Sequence, residues 1–171
     1  QKLQDQVPPV PIDEIKELIK NQFNKPVSEI FKTFAEEPEA AASIAQCHRA
    51  RTFEGDDVAV KIKRPGIKEV IIKDLVILFE LAAVAEKYFP ELKILNPKGV
   101  IEEFALSIQY ELDFLKEGRN IEAFRKYFQN ETGIHIMNVY WKLCTENILT
   151  MEYVDGIKAD DFEKLKKKNM D

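Results

Sequence analysis

The sequence predicts an α+β fold: a five-stranded antiparallel sheet with two long helices. Three observations predict it. Short stretches alternate apolar and polar residues at the strand period of two, most clearly in Val58-Ala59-Val60-Lys61-Ile62-Lys63. Two long stretches, 67–88 and 97–129, carry apolar residues at helical spacing between proline and glycine punctuation. A final apolar strand, 148–154, ends in Met151-Glu152-Tyr153-Val154 and meets the turn Asp155-Gly156.

In chain order, Val7-Pro8-Pro9-Val10-Pro11 is an extended connector, because each proline fixes φ and removes an N–H. Pro11-Ile12-Asp13-Glu14 opens a helix, with proline and acids where a helix start accepts them. Ile12, Ile15, Leu18 and Ile19 form its apolar stripe, and it runs to about Asn24. Strands are predicted at 29–35, with Ile30 set apart from Phe31 and Phe34, at 43–52 and at 57–63. Phe53-Glu54-Gly55-Asp56 is the hairpin turn between the last two. Val58, Val60 and Ile62 share one face of their strand, and Ala59, Lys61 and Lys63 take the other. Pro65-Gly66 interrupts, and the first long helix closes before Pro90. Asn96-Pro97 reads as an N-cap with proline at the first helical position. The apolar line Val100, Phe104, Ile108, Leu112, Leu115 carries this second helix past Leu112 to about Gln129, with a break placed at Gly118. Gly133 ends it, strands follow at 135–141 and 148–154, and a Lys-rich helix at 159–168 closes the chain.

Composition limits the function classes. At 171 residues and 45% hydrophobic content, the chain can bury a core and is not a disordered segment. The net charge of −5, from 25 basic and 30 acidic residues, gives no pull toward nucleic acid. Lys164, Lys166, Lys167 and Lys168 read as a solvated helix end. The longest apolar run, 75–85, is interrupted by Glu80 and falls short of the roughly 18 residues of a spanning helix, so a soluble chain is expected. Cys47 and Cys144 lie far apart and outside any Cys-x-x-Cys, which argues against a disulfide framework or a zinc site. His48 and His135 lack metal-ligand spacing and are expected to be structural. The chain starts at Gln1 without signal-peptide character and reads as part of something longer.

Lys61 is the first candidate for chemistry. Ala59, on the same face, leaves room for a flat purine on the sheet, and the Lys61 ammonium would reach nucleotide phosphates if a carboxylate held it. That carboxylate must come from a helix facing the sheet, and Glu111, Asp113 and Glu117 are the candidates. On a continuous helix Asp113, Glu117 and Asn120 share a face, while Glu111 points roughly 120° away from Glu117. Ahead of the lysine strand, Ala40-Ala41-Ala42-Ser43 is a small-residue loop with no Gly-x-Gly-x-x-Gly; alanine allows fairly close approach but lacks glycine's freedom at positive φ. Met151, Glu152 and Val154 lie where the last strand leaves the sheet, offering backbone donors and acceptors to an adenine edge.

A small-residue loop, a strand with an inward lysine, a helix with a glutamate and a strand into a hinge follow the order of a protein-kinase-like N-lobe. Several segments resemble the UbiB/ADCK family of atypical kinase-like proteins: Leu3-Gln4-Asp5-Gln6-Val7-Pro8-Pro9, the stretch from Glu39 to Ala50, Val58 to Gly66, and Glu111-Leu112-Asp113-Phe114 with Glu117 and Asn120. The resemblance implies that Lys61 is the nucleotide lysine and Glu117 its partner. It implies that Ala40, Ala41, Ala42, Ser43, Ala59, Met151, Glu152 and Val154 line the nucleotide. Glu111 and Asp113 become the Glu-x-Asp motif, which works with a Lys-x-Gly-Gln extension expected before Gln1. The helix 67–88 becomes the family's insertion and the next helix its αC-like element. ATP or ADP with Mg²⁺ is the implied cofactor, with metal ligands and catalytic loop expected beyond Asp171. The implied division is 1–28 linker and helix of the extension, 29–158 kinase-like N-lobe, and 159–171 the start of a connection to a C-lobe. The implied role is support of ubiquinone or related isoprenoid-quinone biosynthesis as an ATPase or small-molecule kinase, on the cytoplasmic side of a bacterial or organellar membrane. Quinone-synthesis proteins, isoprenoid lipid or the membrane surface are the implied partners. A degenerate lobe acting as a scaffold in a quinone-synthesis complex is the alternative. The chain departs from the family at Ala45, usually glycine, and at Cys47, usually valine.

Overall fold

The alternation in Val58–Lys63 decides how the sheet is dressed. In the computed structural model, which describes residues 7–157 and 162–167, five strands form one antiparallel sheet. They are β1 (Thr33–Phe34), β2 (Ala40–Ala41), β3 (Ala45–Arg51), β4 (Asp57–Lys63) and β5 (Ile148–Glu152). β3 lies between β1 and β4 and also takes β2; β5 closes on the other side of β4. The register sets Lys61 opposite Cys47 on β3 and opposite Leu149 on β5. The β3–β4 turn uses Gly55 at φ +105°, a conformation that disfavours residues with a Cβ.

Each face of the sheet carries a helix. Val58, Val60, Ile62, Ala50 and Ile148 form one buried face, and helix α1 (Ile12–Phe23) packs Ile15 and Ile19 into it. On the other face, Ala45 and Leu149 meet Phe114. Ala59, Lys61 and Lys63 on this second face are half-buried, whereas Val58, Val60 and Ile62 are fully buried.

Local signals placed most helices. α1 ends at Asn24 in the left-handed conformation. After the short α2 (Val27–Ile30), α3 (Ile67–Tyr88) starts behind Gly66 at φ +71°. α4 (Pro97–Glu111) starts with Asn96 accepting the Gly99 N–H at 3.3 Å, the cap expected there. α5 (Phe114–Tyr127) and α6 (Phe162–Lys167) follow. Residues 1–6, 158–161 and 168–171 lie outside the described residues, and with them part of the Leu3–Pro9 motif, the ends of the 159–168 helix and Lys168 of the basic cluster.

Four expectations are corrected. The predicted strand at 29–35 begins as helix α2, because Pro26 favours a helix start; a helical turn also lets the consecutive Ile30 and Phe31 both bury, which a strand would not. The alanine segment is a strand rather than a loop: Ala40 and Ala41 pair with Cys47 and Gln46. The second long helix breaks at Leu112–Asp113, not at Gly118, because Asp113 turns out of the helix and caps α5 by accepting the Lys116 N–H at 2.8 Å. The predicted strand 135–141 is an extended segment with one bridge, Val139 to Met151, followed by a 3-10 turn at Trp141–Leu143.

Gly118 has a different reason to be glycine. A Cβ there would stand 2.8 Å from the Trp141 ring and 3.3 Å from Leu149 Cδ1, so the bare backbone is what lets α5 approach the sheet. Gly118→Ala should therefore destabilise by about 1–3 kcal/mol through overpacking, although alanine favours an exposed helix by about 1 kcal/mol. Chemical denaturation checks the sign; a stabilised variant would mean that Trp141 moves aside freely.

Candidate functional site

The site lies on the α5 side of β4. Period two sends the Lys61 side chain toward α5, and Phe114 at the first position of that helix anchors the helix in the sheet with no exposed surface. Glu117 sits three residues further on, on the same helical face. Its carboxylate accepts from Lys61 Nζ through both oxygens, at 2.8 and 2.7 Å, across 56 residues of sequence. The pair is partly shielded, with the Lys61 side chain 25% and the Glu117 side chain 36% exposed. The Lys61 ammonium also lies 4.8 Å from the centre of the Phe114 ring, and Lys63 lies 5.1 Å from it.

The break between α4 and α5 reassigns the acidic residues. On a continuous helix Glu111 would point away from Glu117. With the helix broken, Lys61, Glu111, Glu117 and Asn120 line one cavity of about 410 Å³, with Tyr110 and Lys116. Lys116 rests over the Tyr110 ring, 3.4 Å from its centre. Asp113, placed with Glu117 on phase alone, caps α5 and faces a second cavity with Lys63, Lys68 and Arg119. The geometry thus places Glu111, but not Asp113, in the lining of the Lys61 cavity.

Ala40 and Ala41 run along β3, and the hairpin to β3 closes with the Ala42 N–H on the Ala45 carbonyl at 2.8 Å. Among the described residues only Asn24 and Asn96 combine a side chain with positive φ, so this hairpin turns without the backbone freedom that would demand glycine. Arg64 Nε donates to the Ala42 carbonyl at 2.8 Å and ties the hairpin to the end of β4. The hairpin tip, Ala42 to Ile44, also lines a groove against α3 and α4 that reaches Glu111.

Ala59 lies one pleat from Lys61 and opposite Met151, which packs on the Ala45–Phe114–Leu149 cluster. Glu152 is occupied twice: its backbone N–H donates to the Asn138 carbonyl, and its carboxylate accepts from Asn138 Nδ2 and pairs with His135, each at 2.8 Å. Burial opposes the charge of Glu152, but hydrogen bonds to its carboxylate from the Asn138 backbone N–H, His135 and Asn138 Nδ2 outweigh it and hold its pKa below the usual carboxylate value. Val154 stands exposed beyond the end of β5. Cys47, facing Lys61 across the strand pair, is not an activated thiol: burial pushes its pKa up to about 11.

Phe114, Lys116 and Tyr110 were not singled out by the sequence reading. The available signal was the i, i+3 relation of Phe114 to Glu117, which becomes visible once Asp113 is read as a cap.

Known proteins resemble this chain. It matches the ABC1 atypical kinase-like domain over residues 2–171. It is 38% identical over 164 residues to the probable protein kinase UbiB of Pseudomonas fluorescens, covering 96% of this chain and 31% of that protein. To the protein of the same name from Marinobacter nauticus it is 38% identical over 165 residues, covering 96% and 30%. The solved complex of Rv3197 with erythromycin, from Mycobacterium tuberculosis, aligns with a TM-score of 0.73 at 28% identity, over 88% of this chain and 37% of that one. The chain thus spans under a third of the length of these UbiB relatives. Matched along nearly its whole length, this chain belongs to the ABC1 atypical kinase-like domain family.

Proposed function

We propose that this chain is the ATP- or ADP-binding lobe of a UbiB-type atypical kinase or ATPase that supports ubiquinone biosynthesis. The observation that carries the reading is the two-oxygen contact of Glu117 with Lys61. A lysine on a central strand held by a glutamate from the packed helix is the arrangement that aims an ammonium at nucleotide phosphates. Held this way, the ammonium is already oriented, so little side-chain freedom is lost when phosphate arrives. Ala59 leaves the neighbouring sheet surface open to a purine, and Met151 closes the inner end against Phe114. The nucleotide supplies the transferable phosphoryl group, and this chain's residues bind and orient it. The name shared by the UbiB relatives supports the quinone assignment. Quinone-synthesis proteins and a membrane surface are proposed partners of the whole protein. Among the described residues no helix is long and apolar enough to cross a membrane.

Thermal melting of the full-length protein with Mg-ATP and Mg-ADP tests the reading. A concentration-dependent rise in melting temperature is expected, as for any ligand that binds only the folded state. No rise with either nucleotide would leave the lobe without its proposed ligand. Ala41→Gly should change nucleotide preference or turnover, because it loosens a strand residue of the hairpin over the site. Unchanged preference and unchanged turnover would make the hairpin structural only.

A further inference from the structure

The Gln46-Cys47-His48 stretch of β3 alternates across the sheet, so Cys47 faces Lys61 while Gln46 and His48 point the other way, 2% and 0% exposed. There they meet the linker ahead of α1. Three of the residues from Pro8 to Pro11 are prolines, so this segment cannot add to the sheet as a ladder strand; Val10 carries its one N–H. The Gln46 amide supplies what a strand would have supplied. Its Oε1 accepts the Val10 N–H at 2.7 Å, and its Nε2 donates to the Val10 carbonyl at 3.3 Å. Nε2 has a second hydrogen, which points at His48 Nε2 at 2.8 Å. His48 Nδ1 lies 2.8 Å from the Ala35 carbonyl, which can only accept, so Nδ1 carries the proton and Nε2 receives the Gln46 hydrogen.

The geometry points to a clip: Gln46, oriented by neutral His48, binds the backbone of Val10, and protonation of His48 opens it. A proton on Nε2 would confront the Gln46 amide hydrogens. The amide could escape only by turning over, which sets its NH₂ against the Val10 N–H and loses both linker bonds. The clip fixes where α1 begins, since Pro11 is its N-cap, and so seats Ile15 and Ile19 on the sheet. Arg64 extends the tether: Nη2 donates to the Pro8 carbonyl while Nε holds Ala42, so the linker and the alanine hairpin share one guanidinium.

The surroundings of His48 favour the neutral form. Phe34 stacks on the ring at 5.0 Å, and Val60 lies opposite on β4. On the linker side the facing group is the uncharged Gln46 amide. Glu37 is the acidic group that acts on the ring, and together with the Ala35 carbonyl it favours the charged form. Burial outweighs them and holds the pKa below the ordinary 6.5. Stability from the clip is therefore complete above 6.5 and is lost as pH falls below that value.

Hydrogen exchange on the full-length protein tests this directly, because a peptide spanning residues 8–11 reports the Val10 amide alone. In the wild type, protection at Val10, corrected for the intrinsic pH dependence of exchange, should hold at neutral pH and fall in acid while β4 stays protected. Equal protection at pH 7.5 and 4.5, or a loss shared by β4, would overturn acid opening. Gln46→Leu should speed Val10 exchange roughly ten-fold at neutral pH. Unchanged exchange there would overturn the clip. His48→Phe, which keeps an aromatic ring against Phe34, should abolish the pH dependence, and persistence of that dependence would overturn the role of His48. None of these readouts requires nucleotide, so they stand apart from the proposed activity.

Discussion

Lys61→Ala in the full-length protein is expected to abolish the nucleotide-dependent rise in melting temperature while leaving the nucleotide-free melting temperature nearly unchanged. The two halves of this expectation have different causes. The Lys61–Glu117 pair is a quarter to just over a third exposed, and ion pairs with such access to water contribute about 0–1 kcal/mol to stability. Cutting it should therefore move the apo transition little, and Glu117 can turn toward solvent. Ligand binding is another matter. A nucleotide at 100 times its dissociation constant stabilises the folded state by about 2.7 kcal/mol, and losing Lys61 removes the Glu117-held cation that would meet its phosphates. Glu117→Gln should weaken the shift less, since the ammonium remains but loses its orienting charge. A melting shift in Lys61→Ala equal to the wild type would place the nucleotide elsewhere on the protein.

The sequence made part of this site legible and hid the rest, and the division follows the range of the forces involved. The direction of Lys61 was readable because strand alternation is local and Val58, Val60 and Ile62 mark the buried face without ambiguity. The start of α4 was readable for the same reason, since Asn96 and Pro97 act within one turn. Asp113 was not readable. As a continuing helical residue or as an N-cap it satisfies similar local chemistry, and the apolar line through Leu112 and Leu115 suits either course. That one choice decides whether Glu111 or Asp113 lines the Lys61 cavity. β2 was hidden because Ala40 and Ala41 become a strand through pairing with β3, which nothing in three alanines foretells. The covering of the lysine face was hidden too, because it depends on Phe114 arriving from the far side of two helices, α3 and α4, that intervene in sequence.

Phe114 therefore carries the largest expected effect on stability. Its ring is fully buried against Ala45 and Leu149, with Ile121, Val139 and Met151 packed around them, and it joins α5 to the sheet. Phe114→Ala should cost about 3–5 kcal/mol, since transfer energy and a residual cavity both count against it. For a unit of this size each kcal/mol lowers the melting temperature by about 2–4 °C, so a fall of roughly 10 °C is expected. Phe114→Leu separates packing from electrostatics. Leucine keeps most of the apolar contact but removes the ring face on which Lys61 and Lys63 rest, contacts worth about 0.5–1 kcal/mol each where partly exposed. If the ring also orients Lys61, the leucine variant should melt within a few degrees of the wild type yet bind nucleotide several-fold more weakly. Wild-type affinity in Phe114→Leu would reduce Phe114 to a filler of volume, and the aim of Lys61 would then rest on Glu117 alone.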